Sequence, residues 1–445
     1  MTFLSLNNIQ KILPHLSFAV LAFSCAFQLQ MEAALTPIPI PPGTTLTGNP
    51  LRVADYIDSL NVHPCSDLAH VIRQLPVDGE EFVEALNDIH PAPYQDLTIA
   101  TDQNMQSVKQ TLTGRNAYLR HGRCIKFDGL YSDHCNLGPS PMWFTPIGVF
   151  NDQAHIGELR GYRSRAAGIM MGVDSQPNKN TILGFGLGYS FTDLHWKKSH
   201  GNSDWHSAYF GVYGVSLYDY FYIDGAVLGS YSFYKTKRKI DFSKHKERFD
   251  DTIDPDLNDC CYQVDCPECD DSKCGIDRNP RSRFKGYSIL SHIGLGFRFK
   301  YFGLNLVPFA NLDYDFVDQD GHREYRGRSL NLRIKANHAH LIRTEFGLTV
   351  SGCMPYGCAL IRPSATVSYI HKNILQGHRF KSHFVKYNEE SFYAHGTKKT
   401  MDLIAPGIGL DIQLSTQIIF SLNYDAELSR QQVTQRVSCR FSRAY

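Results

Sequence analysis

From residue 142 onward, hydrophobic and polar positions alternate with a period of two. In 221–234 the odd positions are Phe221, Ile223, Gly225, Val227, Gly229, Tyr231 and Phe233, with Tyr222, Asp224, Ser230 and Ser232 between them. In 287–299 one face reads Tyr287, Ile289, Ser291, Ile293, Leu295, Phe297 and Phe299, and the other Ser288, His292, Gly294, Gly296 and Arg298. In 418–428 Ile418, Phe420, Leu422, Tyr424, Ala426 and Leu428 face Ser421, Asn423, Asp425 and Glu427. Alternation sustained over about ten residues marks a strand with one apolar and one wet face. The pattern predicts about twelve strands: 142–150, 162–173, 181–192, 205–217, 221–236, 286–300, 304–317, 338–351, 358–371, 402–414, 417–428 and 433–443.

The links between these strands alternate in length. Long ones fall at 151–161, 193–204, 237–285, 318–337 and 372–401, with short turns such as 218–220, 301–303 and 415–416 between them. Long loops at one end and tight turns at the other are how transmembrane β-barrels are built; a soluble sandwich has no reason for that asymmetry. The predicted fold is an all-β transmembrane barrel of antiparallel strands. Charged residues inside strands then belong on the luminal face, because charge at the lipid midplane is destabilising. Asp224, Arg298, Asp313, Arg343, Glu345, Arg362, Asp411, Asp425 and Glu427 fall there.

Before residue 142 the period changes. Val53, Ile57, Leu60, Leu68, Ile72, Leu75, Phe82, Leu86 and Ile89 recur at helical spacing, and Ser66-Asp67 and Asp78-Gly79 read as helix starts. Residues 95–120 form a polar helix with few large apolar anchors, one that needs a wet enclosure. Its Lys109, Arg115 and Arg120 can face acids such as Asp224, Asp313 and Glu345 inside the barrel. Residues 37–50 are Pro-rich and read as an extended spacer without a core. Residues 12–27 are apolar and nearly uncharged behind Lys11, with small residues at Ala33 and Ala34, which predicts a signal peptide. The expected division is 1–34 signal peptide, 35–93 short passenger or helical linker region, 94–141 luminal helix and lead-in, and 142–445 barrel.

Composition narrows the partners. The formal net charge of +1 gives no field for nucleic acid, and a mean hydropathy of −0.29 is ordinary for a barrel in which only alternate strand residues meet lipid. No nucleophile elbow, phosphate loop or metal-protease motif is present, so neither enzymatic activity nor a cofactor is expected. Cys260, Cys261, Cys266, Cys269 and Cys274 cluster in the longest loop amid many Asp residues. In an exported chain disulfides are the default, with metal binding and cross-links to envelope neighbours as competing readings; the odd count leaves one thiol over. Cys353 with Cys358, and Cys124 with Cys135, are further candidate pairs. Gly184, Gly186 and Gly188 are expected to ease packing around the luminal helix.

The succession GYRSRAAGIMMGVD (161–174), ILGFGLGYS (182–190), YFGVYGVSLYDYFYIDGAVLGSYSF (209–233), VPFANLDYDFV (307–317) and IRTEFGLTVSG (342–352) resembles the autotransporter β-domain of type V secretion, including that of polymorphic outer membrane proteins. The stretch 85–112 resembles the linker that threads such barrels, and Val437, Cys439, Phe441 and Tyr445 resemble a terminal assembly signal. Tyr445 stands where the usual terminal residue is Phe, and no GGAI repeat is present. The resemblance implies a translocator and anchor in the outer membrane, surrounded by lipid and inserted by the barrel assembly machinery, with a passenger that is minimal or lost. A surface barrel without secretion, adhesin or porin-like, is the alternative.

Overall fold

The computed structural model describes residues 37–63, 66–121, 142–156, 159–178, 180–242, 276–356, 359–388, 390–396, 400–414 and 418–443. Twelve long strands run β1 Met142–Gln153, β2 Tyr162–Asn178, β3 Thr181–Trp196, β4 Gly201–Leu217, β5 Phe221–Arg238, β6 Arg281–Phe297, β7 Leu304–Gln319, β8 Asn337–Ser351, β9 Ala359–Gln376, β10 Thr400–Gln413, β11 Ile418–Leu428 and β12 Gln432–Arg443. Each pairs antiparallel with its neighbours in sequence. The sheet closes where β1 meets β12, from Met142 opposite Arg443 to Gln153 opposite Gln432. Closure leaves no unpaired edge, which a lipid environment demands. Phe185, Leu187, Phe210, Val227, Ile293 and Ile408 are among the exposed apolar side chains facing outward.

Four helices precede the barrel: α1 Gly48–Ser59, α2 Asp67–Arg73, α3 Gly79–Ile89 and α4 Pro93–His121. The Ser66 side chain caps α2 by accepting from Ala69 N, and Asp78 caps α3 by accepting from Glu80 and Glu81 N. Helices α1–α3 pack with the long links into one apolar core. Val53, Ile57, Phe82 and Leu86 meet Trp196, Trp205 and Tyr234 from the strand ends and Leu330, Phe384 and Phe392 from the links. The links contribute a small sheet in the order His322–Arg323, Leu332–Ile334, Arg379–Phe384, Phe392–His395.

Three expectations change. The link expected at 193–204 shrinks to 197–200, because β3 and β4 continue beyond the lipid band to bring Trp196 and Trp205 into that core. The Pro-rich segment is not a coreless spacer: Ile38 and Pro50 are buried, and α1 begins at Gly48. Arg298 leaves the strand pattern, lying in a break after β6, where its guanidinium donates to the carbonyls of Tyr218 and Asp219. The signal segment, the cysteines at 260–274, Cys124, Cys135, Cys358 and Tyr445 lie outside the described residues, as does the side chain of Arg120.

Candidate functional site: the plugged lumen and its cap

Helix α4 has 29 residues, about 43 Å at 1.5 Å per residue, long enough to traverse the barrel. Its direction follows from its contacts. Near its start Tyr94 donates to Glu324 in the β7–β8 link (2.8 Å); near its end Asn116 donates to the Gly214 carbonyl (3.1 Å) and Arg115 to Ser442 (3.2 Å), both beside the short turns. The helix therefore enters at the long-link mouth and leaves at the short-turn mouth, where β1 begins.

The lumen supplies the wet enclosure that such a helix needs. Thr98 donates to Gln319 (3.0 Å), Asn104 to Thr192 (2.9 Å), and Tyr162 donates to Gln103 (3.2 Å). Thr101, Ser107 and Thr111 turn their hydroxyls back onto carbonyls four residues earlier. One narrow apolar stripe, Met105, Val108 and Leu112, packs on Trp143, Met170, Tyr209 and Leu228. Leu112 approaches the strand backbone closely: a Cβ on Gly211 would sit 2.8 Å from it, and one on Gly186 3.3 Å. Gly184 and Gly188 instead make room for Tyr213 and Met170.

Charge completes the seat. Lys109 pairs with Asp313 at 2.9 Å, and Asp313 also meets His292 and Arg343. Arg343 reaches Glu427 (2.7 Å) and lies 3.7 Å from Glu345; Glu427 meets Arg436 (2.8 Å), which donates to Ser107 of the helix (2.9 Å). Arg115 pairs not with the expected acids but with Asp174 (2.6 Å), both side chains fully buried. Lys372 pairs with Asp102, and Arg440 donates to the Thr111 carbonyl (2.6 Å). Asp224 lies 4.0 Å from His292. Asp174, Asp102, Arg436 and Arg440 were not among the predicted site residues, although the alternation of β12 already put Arg436 and Arg440 on its polar face.

The helix leans on β1, β2, β4–β7 and β12. Across from it a polar cavity of about 1100 Å³ remains, lined by Arg362, Asp411, Asp425, Glu345 and Arg298 and reaching the turns at 218–220 and 301–303. At the other mouth the cap is stapled to every side. Asn49 exchanges two hydrogen bonds with His395 (2.8 and 2.7 Å), Tyr56 donates to the Tyr387 carbonyl (3.0 Å), Arg278 grips Asp67 (2.7 Å), and Arg160 meets Asp88 (2.7 Å). Arg238 donates to Glu324 (2.6 Å) and to the Asp88 carbonyl at the end of α3 (2.7 Å). Burial raises the Asp67 carboxyl, but Arg278 and Ser329 outweigh it and hold it below the usual range. His90 is fully enclosed, and burial, with Arg238 and Arg160 nearby, brings its imidazole down to about 3. Val437, Cys439 and Phe441 face outward on β12, toward lipid.

A closed twelve-strand barrel with an apolar outer wall and a helix of its own chain through a charged lumen defines an outer-membrane barrel of the translocator type. The Autotransporter beta-domain family matches residues 142–259 and 270–425, and the chain belongs to that family. It is 23% identical over 194 residues to Outer membrane protein B of Rickettsia typhi (strain ATCC VR-144 / Wilmington), covering 41% of this chain and 11% of the relative. With Outer membrane protein B of Rickettsia japonica (strain ATCC VR-1363 / YH) it shares 27% over 99 residues, 22% of this chain and 6% of that one. The aligned segments thus span about a tenth or less of these relatives. In fold it is similar to the translocator domain of autotransporter NalP from Neisseria meningitidis, with a TM-score of 0.51 and 14% identity, covering 78% of this chain and 98% of that one.

Proposed function

We propose that this barrel delivered its own N-terminal segment to the cell exterior and keeps it there, residues 37–92 forming a retained cap on the outer mouth. The direction of α4 carries the reading. Long links face outward in outer-membrane barrels. A chain that starts β1 at the short-turn mouth and runs back through the lumen has its residues before Pro93 outside. The ties of the cap to three of the links favour retention over release. On this reading 94–141 is the luminal helix with its lead-in, Phe441 and its outward neighbours on β12 serve the assembly machinery, and the luminal charges hold the plug.

An epitope inserted at Gly43, an exposed turn, tests the reading. Antibody should reach it on intact cells, and the tag should stay with the membrane fraction at full chain length. Labelling only after the outer membrane is permeabilised would refute export; a tag shed into the medium would refute retention.

A further inference from the structure

The outward faces of β5 and β6 carry a feature that neither the plug nor the cap uses. Above Tyr231, Phe233 and Tyr287 the next outward positions are Lys235 and Lys237 on β5 and Lys285, Arg283 and Arg281 on β6. The register sets them side by side: Tyr231 opposite Tyr287, Phe233 opposite Lys285, Lys235 opposite Arg283, Lys237 opposite Arg281. Lys235, Arg283 and Lys285 are exposed, and Lys237 and Arg281 half-buried. The Lys285 ammonium lies 5.7 Å above the Phe233 ring, which packs edge-on against Tyr231. None of the five makes an ion pair among the described residues.

Their height is set by the strand. Outward residues from Phe221 to Phe233 rise roughly 25–30 Å along an axis tilted by about 40°, the height of a barrel's apolar band. Phe221 and Phe297 mark its lower edge and Tyr231, Phe233 and Tyr287 its upper one. The five cations therefore sit at the level of the headgroups in the outer leaflet.

Among the described residues Asp318, Asp204 and Asp320 border the patch; Asp204 faces Lys235 and offsets part of its charge, but these acids cannot balance five cations. On β7, Asp318 opposite Tyr287 pairs with His338. On β4, Asp204 opposite Lys235 lies beside Asp193, which pairs with His195 at 2.9 Å. Other cations on this rim have acid partners: Arg163 and Lys197 share Asp152 (3.0 and 2.5 Å), and Lys239 meets Asp241 (2.7 Å). Two Arg forks and three Lys point charges, within a footprint of about 5 by 13 Å, match the oxygens of a phosphate monoester.

We propose that this β5–β6 patch binds the phosphate-bearing headgroup of an outer-leaflet glycolipid, whose acyl chains lie on the apolar wall below Tyr231 and Tyr287. The footprint fits about one bis-phosphorylated headgroup. The site is formed by the barrel wall and does not depend on whether the cap is exported.

Native mass spectrometry of the full chain, folded in zwitterionic detergent, tests this with bis-phosphorylated lipid A, the same lipid stripped of both phosphates, and inorganic phosphate. About one bis-phosphorylated molecule should remain bound, with affinity falling at least about tenfold for the stripped lipid and for K235E/R283E/K285E. R163E, on the same rim, should bind as wild type. Folding is checked by the heat-dependent shift in electrophoretic mobility; should the triple reversal not fold, K235Q/R283Q replaces it and should still weaken binding several-fold. Equal retention of the stripped lipid, or equal loss in R163E, would overturn the proposal. Displacement by low-millimolar inorganic phosphate would assign the patch to free phosphate instead. Binding that appears only when the acidic residues of 250–271 are changed to Asn would show that the chain's own loop neutralises the patch, and would also overturn it.

Discussion

Arg115 and Asp174 have no exposed side-chain surface, and the carboxylate also accepts from Tyr213. Removing one partner of such a pair leaves a buried charge unmatched, which costs about 3–5 kcal/mol, whereas removing both together is often nearly neutral. Arg115→Met should therefore lower the temperature at which the compact barrel opens on heating in detergent, and adding Asp174→Leu should restore most of the loss. A single variant as heat-resistant as the wild type would show that the pair does not anchor the helix. Packing offers a second check at Gly211, where a Cβ would press on Leu112 at 2.8 Å and on Leu228 at 3.1 Å. Gly211→Val should cost about 1–3 kcal/mol by overpacking, and Leu112→Ala in the same chain should return part of it. If the two losses simply add in the double variant, Leu112 does not sit against that wall. Asp174 escaped the sequence reading because it follows the last apolar position of β2, at the edge of the lipid band. There the outward face no longer has to be greasy, so alternation stops reporting which way a side chain points.

The same physics explains which elements were legible. Lipid enforces apolar character on every second residue, so all twelve strands could be read; the long-link ends of β3, β4 and β6 read short because Asp193, Asp204 and Arg283 continue the pleat without continuing the pattern. The caps at Ser66 and Asp78 are local chemistry and were legible too. The cap's attachment was not: Asn49 meets His395, and Tyr56 meets Phe384, across more than 300 positions that no period links. His90 ties this element to pH. Ala92 N donates to its Nδ1 (3.1 Å) and its Nε2 meets Asn87 Oδ1 (3.0 Å), so the neutral ring is satisfied and protonation would break the first bond. Its folded value of about 3 lies below the unfolded value near 6.5. The unfolded cap then binds the extra proton, so stability is full above about pH 6.5 and falls by about 1.4 kcal/mol per unit as pH drops toward 3. Asp67, also depressed, adds its own loss only below about pH 4. Protease cleavage within 37–92 on the folded barrel should rise steeply between pH 6.5 and 4, and His90→Gln should flatten that rise. Cleavage in the wild type that is flat over this window would remove His90 from the cap's stability.

Two barriers in series close the molecule, and they can be separated. The cap covers the long-link mouth, while α4 fills one side of the lumen along its length and leaves the polar cavity of about 1100 Å³ at the short-turn end. An ion entering from the short-turn side meets water and mixed charge first, then the Lys109–Asp313 and Arg343–Glu427 network, then the cap. Deleting 37–92 strips the outer barrier but leaves the helix held by Lys109, Arg115 and Asp102, so conductance in a planar bilayer should rise little. Deleting 37–120 removes a cylinder about 10 Å across from a twelve-stranded barrel and should raise conductance several-fold. The opened pore would expose Asp313, Glu427 and Asp174 without Lys109 and Arg115 against them, and Lys372 without Asp102, a net loss of one positive charge that should modestly favour cations. The order of the two effects is the informative result. A large rise on removing the cap alone would mean that α4 leaves its seat with the cap, making both one mechanical unit. No rise on removing both would place the helix outside the lumen and remove the physical basis for export through it.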